Sequence, residues 1–464
     1  MTSLLWTLIF LQIAMGAFDT LFHHEFTERL AWRKSQAKEL KLHAIRNGFY
    51  GLIFAGFGWL EFHGLFAYGL LTLLAIELII TLMDFVEEDR SRLLPASERV
   101  AHTLMALNYG SILVLLVPVL LGWGKNPSAL VGADYGPVSW ALLASAIAVT
   151  LFGLRDWFAS LRLAKMPTDD AGGLLAAGAK RKAVLITGGT GFVGSKLVAA
   201  LASAGHDVTV LTRNIARAKE LAAPVKLITD LSQLPDDTKL DAIVSLAGHP
   251  IASGLWTAKH RRKVMLSRLH MNRRLRKLVD RLELKPEVFL NASAIGVYGI
   301  AQAQPVDESH VIAPDGSFSN RSCAAVEHEA SKMQALGVRT INLRIGLVLD
   351  TAGGPLAQML VPFDLGAGGR LGSGQQWMSW ISRDDLVRLI DHCIRDTTIT
   401  GPVNATAPTP VQNKTYAKAL GRAMHRPALI PLPALILEKV LQDFAKELFL
   451  GSQNILPIAA LQSG

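Results

Sequence analysis

Apolar residues crowd into residues 1–165 of the chain and then give way to the short alternating patterns of a water-exposed α/β protein. In the first part, apolar runs cover Leu4–Phe22, Asn47–Leu60, Leu65–Phe85, His102–Trp123 and Ser139–Leu154. A helix needs about 20 such residues to cross a bilayer, so the pattern predicts a bundle of about five transmembrane helices. The short second run joins the third through Glu61-Phe62-His63-Gly64, read as a tight hairpin. The first run has neither a basic leader nor a small-residue cleavage site and is expected to be retained. Residues 166–182 (MPTDDAGGLLAAGAKRK) are polar and rich in small residues, as a linker would be. From there, apolar runs at Ala183–Thr187, Val208–Thr212, Lys226–Thr229, Ala242–Leu246, Val288–Ala292 and Thr340–Leu343 alternate with helical stretches such as Ser195–Ala204. That alternation predicts a doubly wound parallel sheet over residues 183–410, followed by a small helical lobe at 411–464.

Charge adds orientation. The net charge is +9, but much of the basic excess lies beside the apolar runs. Arg29, Arg33, Lys34, Lys38, Lys41 and Arg46 follow the first; Arg90, Arg92 and Arg99 follow the third; Arg155, Arg162 and Lys165 follow the fifth. The alternate loops hold almost nothing basic except Lys125. By the positive-inside rule the N-terminus is outside and the α/β part is cytoplasmic, in a bacterial-type inner membrane. The lipid bilayer is thus an expected partner. No nucleic-acid motif accompanies the charge, so nucleic acid is not. Cys323 and Cys393 are too few for a disulfide framework and fit a reducing compartment.

A weak repeat runs through the apolar part: Glu39-x3-His43-x6-Tyr50-Gly51 recurs as Glu98-x3-His102-x6-Tyr109-Gly110. A spacing of four places each Glu and His on one helix face. Asp19, His23, His24 and Glu25, and Asp84, Glu87, Glu88 and Asp89, fall on the same side. His43 and His102 are therefore candidate ligands for a metal or haem. The alternative is that carboxylates favour helix N-termini and polar groups mark the water boundary.

Gly188-Gly189-Thr190-Gly191-Phe192-Val193-Gly194 follows a strand ending at Thr187 and opens a helix, the context of a dinucleotide-binding turn. The first glycine permits the turn, the second admits a pyrophosphate, and the third lets helix pack on strand. Free N–H groups at the helix N-terminus favour phosphate. The second strand ends at Leu211-Thr212-Arg213 rather than at a carboxylate. Arg213 suits a 2′-phosphate, so NADP(H) is expected over NAD(H). Ligands in such folds lie beyond the carboxyl ends of the strands, near Asp230, Ala247, Gly248, Ser293 and Arg344. For Arg344 an anionic substrate and a neighbouring carboxylate are both open partners.

These segments, with Leu246-Ala247-Gly248-x-Pro250-Ile251, Ser293-x3-x-Tyr298-Gly299, Leu343-Arg344-x-Gly346-x-Val348-Leu349, Gly372-x-x-Gln375, Trp380-Ile381-x-x-Asp384-Asp385, Gly401-x-x-Asn404 and Pro408-x-Pro410-Val411-x-Asn413, occur in order. The series resembles the YfcH-like epimerase family, an atypical branch of the extended short-chain dehydrogenase/reductases, from about Arg181 onward. The resemblance implies a Rossmann domain holding NADP(H) through Thr187 to Gly194, Arg213, Asp230, Leu246, Ala247, Gly248, Ser293, Arg344 and Gly346, with a substrate related to nucleotide sugars. It makes Ser293 a hydrogen-bonding partner of the substrate oxygen and places Gly346 beside the nicotinamide. Ser382 stands where relatives often have histidine, and the family usually continues past Gly464, so the lobe is expected to be short.

Typical short-chain enzymes use a tyrosine as acid/base and a lysine four positions later to lower its pKa. The matching positions here are Ser319 and Cys323, and none of the six tyrosines is followed by lysine four residues on. Three readings stand. Catalysis could run on Ser293 and Tyr298, with Asp384 or Glu327 as acid/base, on a small-molecule or membrane-associated substrate. The domain could bind NADP(H) without turnover, as a sensor or scaffold. It could also pass reducing equivalents to a metal or haem held by His43 and His102.

Overall fold

The computed structural model describes residues 2–464 except 93, 167–170, 177–179, 219–220 and 222–224. The chain divides into two compact units, Met1–Thr168 and Asp169–Gly464.

The first unit is helical. Helix α1 (Ser3–Phe18), N-capped by the Thr2 side chain, passes directly into a ten-residue π-helix, Asp19–Glu28. Then come α2 (Ala37–Trp59), α3 (Leu65–Ser91), α4 (Ala96–Trp123) and α5 (Pro137–Lys165). Leu5, Ile9, Ile53, Phe57, Leu70, Leu74, Ile112, Leu116, Leu120 and Leu142 form its buried apolar core. Four stretches among the described residues are long and apolar enough to cross a membrane: Ser3–Trp32, Leu65–Ser91, Ala96–Trp123 and Pro137–Lys165. Five were expected. Helix α2 has 23 residues, but Lys38, Glu39, Lys41, His43 and Arg46 occupy its first half and lower its apolar character. The expected hairpin at Glu61–Gly64 is also different. Leu60–His63 (β1) pairs antiparallel with Ala129–Gly132 (β2), from the connection between α4 and α5. Gly64 then turns with φ +59°, and a Cβ there would lie 2.5 Å from Ser128.

The second unit is built on a seven-stranded parallel sheet. Its strands are β3 (Ala183–Thr187), β4 (Asp207–Leu211), β5 (Lys226–Ile228), β6 (Ala242–Ser245), β7 (Val288–Ala294), β9 (Arg339–Ile345) and β10 (Gly401–Ala405), with the short strand β8 (Ala301–Val306) lying outside the sheet. The spatial order is β10-β9-β7-β6-β3-β4-β5. Strand order reverses between β3 and β6, which opens a crevice at the carboxyl ends of those strands. The sequence pattern anticipates six of the seven strands. β10 escapes it because Gly401 and Pro402 break the apolar run.

Alternate residues of each strand face opposite layers. Val184, Ile186, Val244, Leu290 and Leu343 pack with Leu197 and Leu201 of α6 (Phe192–Ser203) and with Leu386 and Ile390 of a later helix. Leu185, Ile243 and Phe289 pack on the other face with Leu275 and Leu278 of α7 (Ala258–Arg281) and with Ala330 of α8 (Phe318–Ser331). Residues 167–170 and 177–179 of the expected linker lie outside the described residues. Ala171 and Leu175 are buried in the first of these layers, so that part of the segment is packed rather than free. The lobe after residue 410 is not wholly helical. Besides the helix Asn413–Met424 it carries β11 (Ser452–Ile455), which pairs in parallel with β8.

Candidate functional site

The crevice beside β3 is shaped by backbone proximity. Gly188 has φ +76°, and an added Cβ would sit 2.8 Å from the Ala247 nitrogen. Thr187 draws the two strand ends together, because its hydroxyl accepts from the Ala247 N–H at 3.2 Å. A Cβ on Gly194 would collide with the Gly188 carbonyl, so the helix packs on the loop only with glycine there. Gly189 is hemmed in by Val210, 2.7 Å from the place of its Cβ. Gly191 differs: its φ is −84°, and a Cβ would meet only the Gly188 oxygen, at 3.1 Å. It is the N-cap of α6, and no side chain caps that helix end. Free N–H groups and the positive end of the helix dipole there suit a diphosphate.

Cations surround the far side of the crevice. Arg213 is exposed just beyond β4. His249 follows Gly248; its pKa is lowered by desolvation and then by the charges of Lys263, His260, Arg268 and Arg213. Arg268 passes so close to Gly248 that an added Cβ would lie 2.6 Å from its guanidinium carbon. Its Nη1 donates to the His249 and Val264 carbonyls. Sequence reasoning missed Arg268, which looks like one more basic residue of the charged helix α7. An uncapped helix end, a glycine path and a cationic rim together fit a dinucleotide diphosphate and an additional phosphate.

Other expected contacts have local tasks. Asp230 caps the turn Leu231–Gln233, accepting from the Ser232 N–H, and pairs with Arg274 at 2.5 Å. A Cβ on Gly346 would meet the Ser379 oxygen at 2.7 Å, so this glycine lets two backbone segments approach. Phe192 lies under the Arg383 guanidinium, 5.0 Å from its ring centre. Asp384 pairs with Lys196 of α6, and Ser382 caps the helix Arg383–Arg395 (α9).

Of the residues considered for proton transfer, Ser293, Tyr298 and Glu327 form one buried network, while Asp384 stands apart on Lys196. Ser293 Oγ donates to Glu327 Oε1 at 2.6 Å. Arg344 grips the same carboxylate twice, Nε to Oε1 at 3.1 Å and Nη2 to Oε2 at 2.9 Å. Its Nη1 donates to the Tyr298 hydroxyl at 2.7 Å, and that hydroxyl donates to Asn404 Oδ1 at 2.9 Å. Arg344 thus takes the neighbouring carboxylate of the two partners left open by sequence. Burial raises the Tyr298 pKa above its ordinary value, against the pull of Arg344. Ser319, in the usual tyrosine position, donates its hydroxyl to Glu447 Oε2 at 2.6 Å, and Glu447 also accepts from the Phe318 and Ser319 N–H groups. Cys323, in the usual lysine position, has its thiol pushed up to about 11 by burial and by Glu327. Nothing in the sequence marks Glu447, more than a hundred residues from its partner, as the group that fills this place.

In the helical unit the two candidate histidines come to one region but not to one ligand set. His102 lies with Asp19, His24 and Glu98, and His43 with His24 and Glu88.

A family model described as the NAD dependent epimerase/dehydratase family matches residues 184–404. The epimerase family protein YfhF of Bacillus subtilis is 32% identical over 283 residues, spanning 61% of this chain and 92% of that protein. The chloroplastic SDR39U1 homolog of Arabidopsis thaliana, also described as an epimerase family protein, is 35% identical over 289 residues, covering 61% and 82%. The crystal structure of human epimerase family protein SDR39U1 (isoform 2) with NADPH superimposes with a TM-score of 0.54 at 29% identity, over 61% of this chain and 93% of that one.

Proposed function

The chain belongs to the NAD-dependent epimerase/dehydratase family, and from that premise we propose that it is a membrane-tethered NADP(H)-binding protein whose proton-transfer machinery has been replaced by a closed ion-pair network. The binding half of this reading is carried by the uncapped N-terminus of α6, reached past Gly191 and faced by the cationic rim. Thr187, Gly188, Gly191 and Gly194 would hold the diphosphate, with Arg213 at the 2′-phosphate. Bound there, NADP(H) supplies a hydride donor or acceptor. The human relative crystallised with NADPH supports the phosphorylated form. Replacing Arg213 with aspartate removes a charge-assisted contact of about 1.5–3 kcal/mol and adds repulsion. NADPH affinity should fall on the order of 100-fold while NADH affinity changes little. Titration by intrinsic fluorescence reads both, and an unchanged ratio would show that another residue sets the preference.

The absence of turnover rests on the filled positions. An acid/base needs a pKa near the working pH and a free proton path. The Tyr298 hydroxyl is occupied as both donor and acceptor, Ser319 is held by Glu447, and Glu327 is paired to Arg344. The full chain in detergent should bind NADPH yet leave it unoxidised across panels of nucleotide sugars, carbonyls and quinones. The short Ser293–Glu327 contact supports a second reading, an altered enzyme in which Glu327 polarises Ser293 against a substrate oxygen. Substrate-dependent NADPH oxidation that disappears in Ser293→Ala would establish that reading instead.

Tethering is supported by the outward apolar surface of the helical unit, where Leu52, Leu107, Val114, Leu151 and Phe158 are all more than 60% exposed. Such a surface is costly in water and is matched by lipid. The basic loops support a cytoplasmic side for the α/β unit.

A further inference from the structure

The repeat in the apolar half has a geometric counterpart. Equivalent residues of α2 and α4 meet the same partner on α3. Glu39 and Glu98 both bind Arg92, just beyond the end of α3; His43 and His102 both flank Glu88; Tyr50 and Tyr109 both donate to Glu77. Into the end of this arrangement the π-helix Asp19–Glu28 inserts Asp19, His23 and His24, all buried. Wide helical turns of this kind recur at functional sites.

We propose that this end of the helical unit binds a divalent first-row transition-metal ion through Asp19, His24, His102 and Glu98. The inference does not rest on the nucleotide reading. One ligand atom from each of the four residues lies within 4.8 Å of all the others. Asp19 Oδ2 is 3.1 Å from His102 Nε2 and 3.3 Å from His24 Nε2, and Glu98 Oε1 is 3.6 Å from His24 Nε2. Ligands about 2.1 Å from one ion stand roughly 3.0–3.4 Å apart at octahedral or tetrahedral angles.

The surroundings are those of a supported site. His102 sets its Nδ1 3.3 Å from Glu88 Oε2 and its Nε2 3.1 Å from Asp19 Oδ2; with an ion bound, Nδ1–H would donate to Glu88 and Nε2 would turn its lone pair to the metal. A carboxylate behind a ligand histidine fixes its tautomer and ring orientation in this way. His23 Nδ1 holds the other Asp19 oxygen at 2.7 Å, and Arg92 Nη1 and Nη2 hold both oxygens of Glu98. His24 is 95% buried and stacks on His43 at 4.6 Å, yet its Nε2 makes no hydrogen bond. A buried ring nitrogen beside carboxylates without an aligned partner points to a ligand other than a proton acceptor.

Charge also favours a cation. Asp19, Glu39, Asp84, Glu88 and Glu98 are all buried, and the guanidinium groups among them are Arg46 and Arg92. Those two cations balance two of the five carboxylates, and among the described residues that contact the other three are the histidines. Two imidazoles and a carboxylate on one face, with a further carboxylate, suit iron(II), manganese(II) or zinc(II) rather than calcium or magnesium.

The test uses the full chain purified in detergent from cells grown with iron, manganese and zinc. Elemental analysis should find one transition-metal ion per chain. It should be lost in His102→Ala and Asp19→Asn and kept in His63→Ala, whose histidine lies in β1 outside the cluster. Wild-type protein stripped with chelator and titrated with Co(II) should develop a visible ligand-field band that saturates at one equivalent, a readout that requires no variant to fold. Wild type holding no more metal than His102→Ala, with no such band, would overturn the proposal and leave protonated histidines as the balancing charge.

Discussion

Substituting Gly191 with valine should lower NADPH affinity by roughly 100-fold or more, about 2.7 kcal/mol, while the unit stays folded. The reasoning depends on the contrast between two glycines of one loop. At Gly194 an added Cβ runs into the Gly188 carbonyl, so any side chain disturbs the loop itself. At Gly191 the backbone is extended and a Cβ meets a single oxygen at 3.1 Å. The protein alone therefore tolerates a side chain at Gly191 with a small adjustment. What such a side chain blocks is the approach of a diphosphate to the N–H groups of α6. Isothermal titration with NADPH, alongside a thermal melt, separates the outcomes. Loss of affinity with an unchanged melt supports the site. Equal affinity would remove the glycine loop from the binding reading, and loss of both would show that Gly191 serves the fold.

The largest stability effect is expected at Glu327. Truncating it to alanine leaves the Arg344 guanidinium buried, with Tyr298 as its remaining polar partner, and breaking one side of such a pair costs about 3–5 kcal/mol. Ser293 loses its acceptor at the same time. Burial lowers the Arg344 pKa, and Glu327, then Tyr298, outweigh it; with Glu327 gone the charge still stays, because a guanidinium does not lose its proton in a protein. Replacing both residues together, Glu327→Gln with Arg344→Met, should cost clearly less than the sum of the single changes. Hydrogen exchange at the amides of β7 and β9 in the full chain reads the opening free energy directly. Additive effects would mean that Glu327 and Arg344 do not act as a pair.

Much of this architecture is legible in the chain. Strand β3, the glycine loop and α6 follow from a short apolar run, spaced glycines and a helical pattern, because local backbone demands dictate residue type there. The repeat across α2 and α4 is legible too, since a spacing of four fixes which groups share a helix face. Other features depend on distant partners and leave no local trace. Glu447 reaches Ser319 across the fold, and Arg344 chooses Glu327 over any ligand because α8 passes beside β9. Helix α2 shows the opposite failure. Its early charges break the apolar signal: Glu39, His43 and Arg46 turn inward to Arg92 and Asp84, while Lys38 and Lys41 stay exposed.

The pairing of β11 with β8 has a consequence for biosynthesis. Ser452 lies beside Ala301 and Ile455 beside Val306, so a strand near the end of the chain returns to one laid down about 150 residues earlier. Glu447 joins the same closure through Phe318 and Ser319. Contacts of such long sequence separation form late, after the entropy of a large loop has been lost. On the ribosome the helical unit is complete hundreds of residues before β11 emerges. The α/β unit must therefore wait with β8 and the start of α8 uncovered. Arresting translation between Leu441 and Ser452 should leave a nascent chain that is protease-sensitive at β8, whereas release of the finished chain closes it.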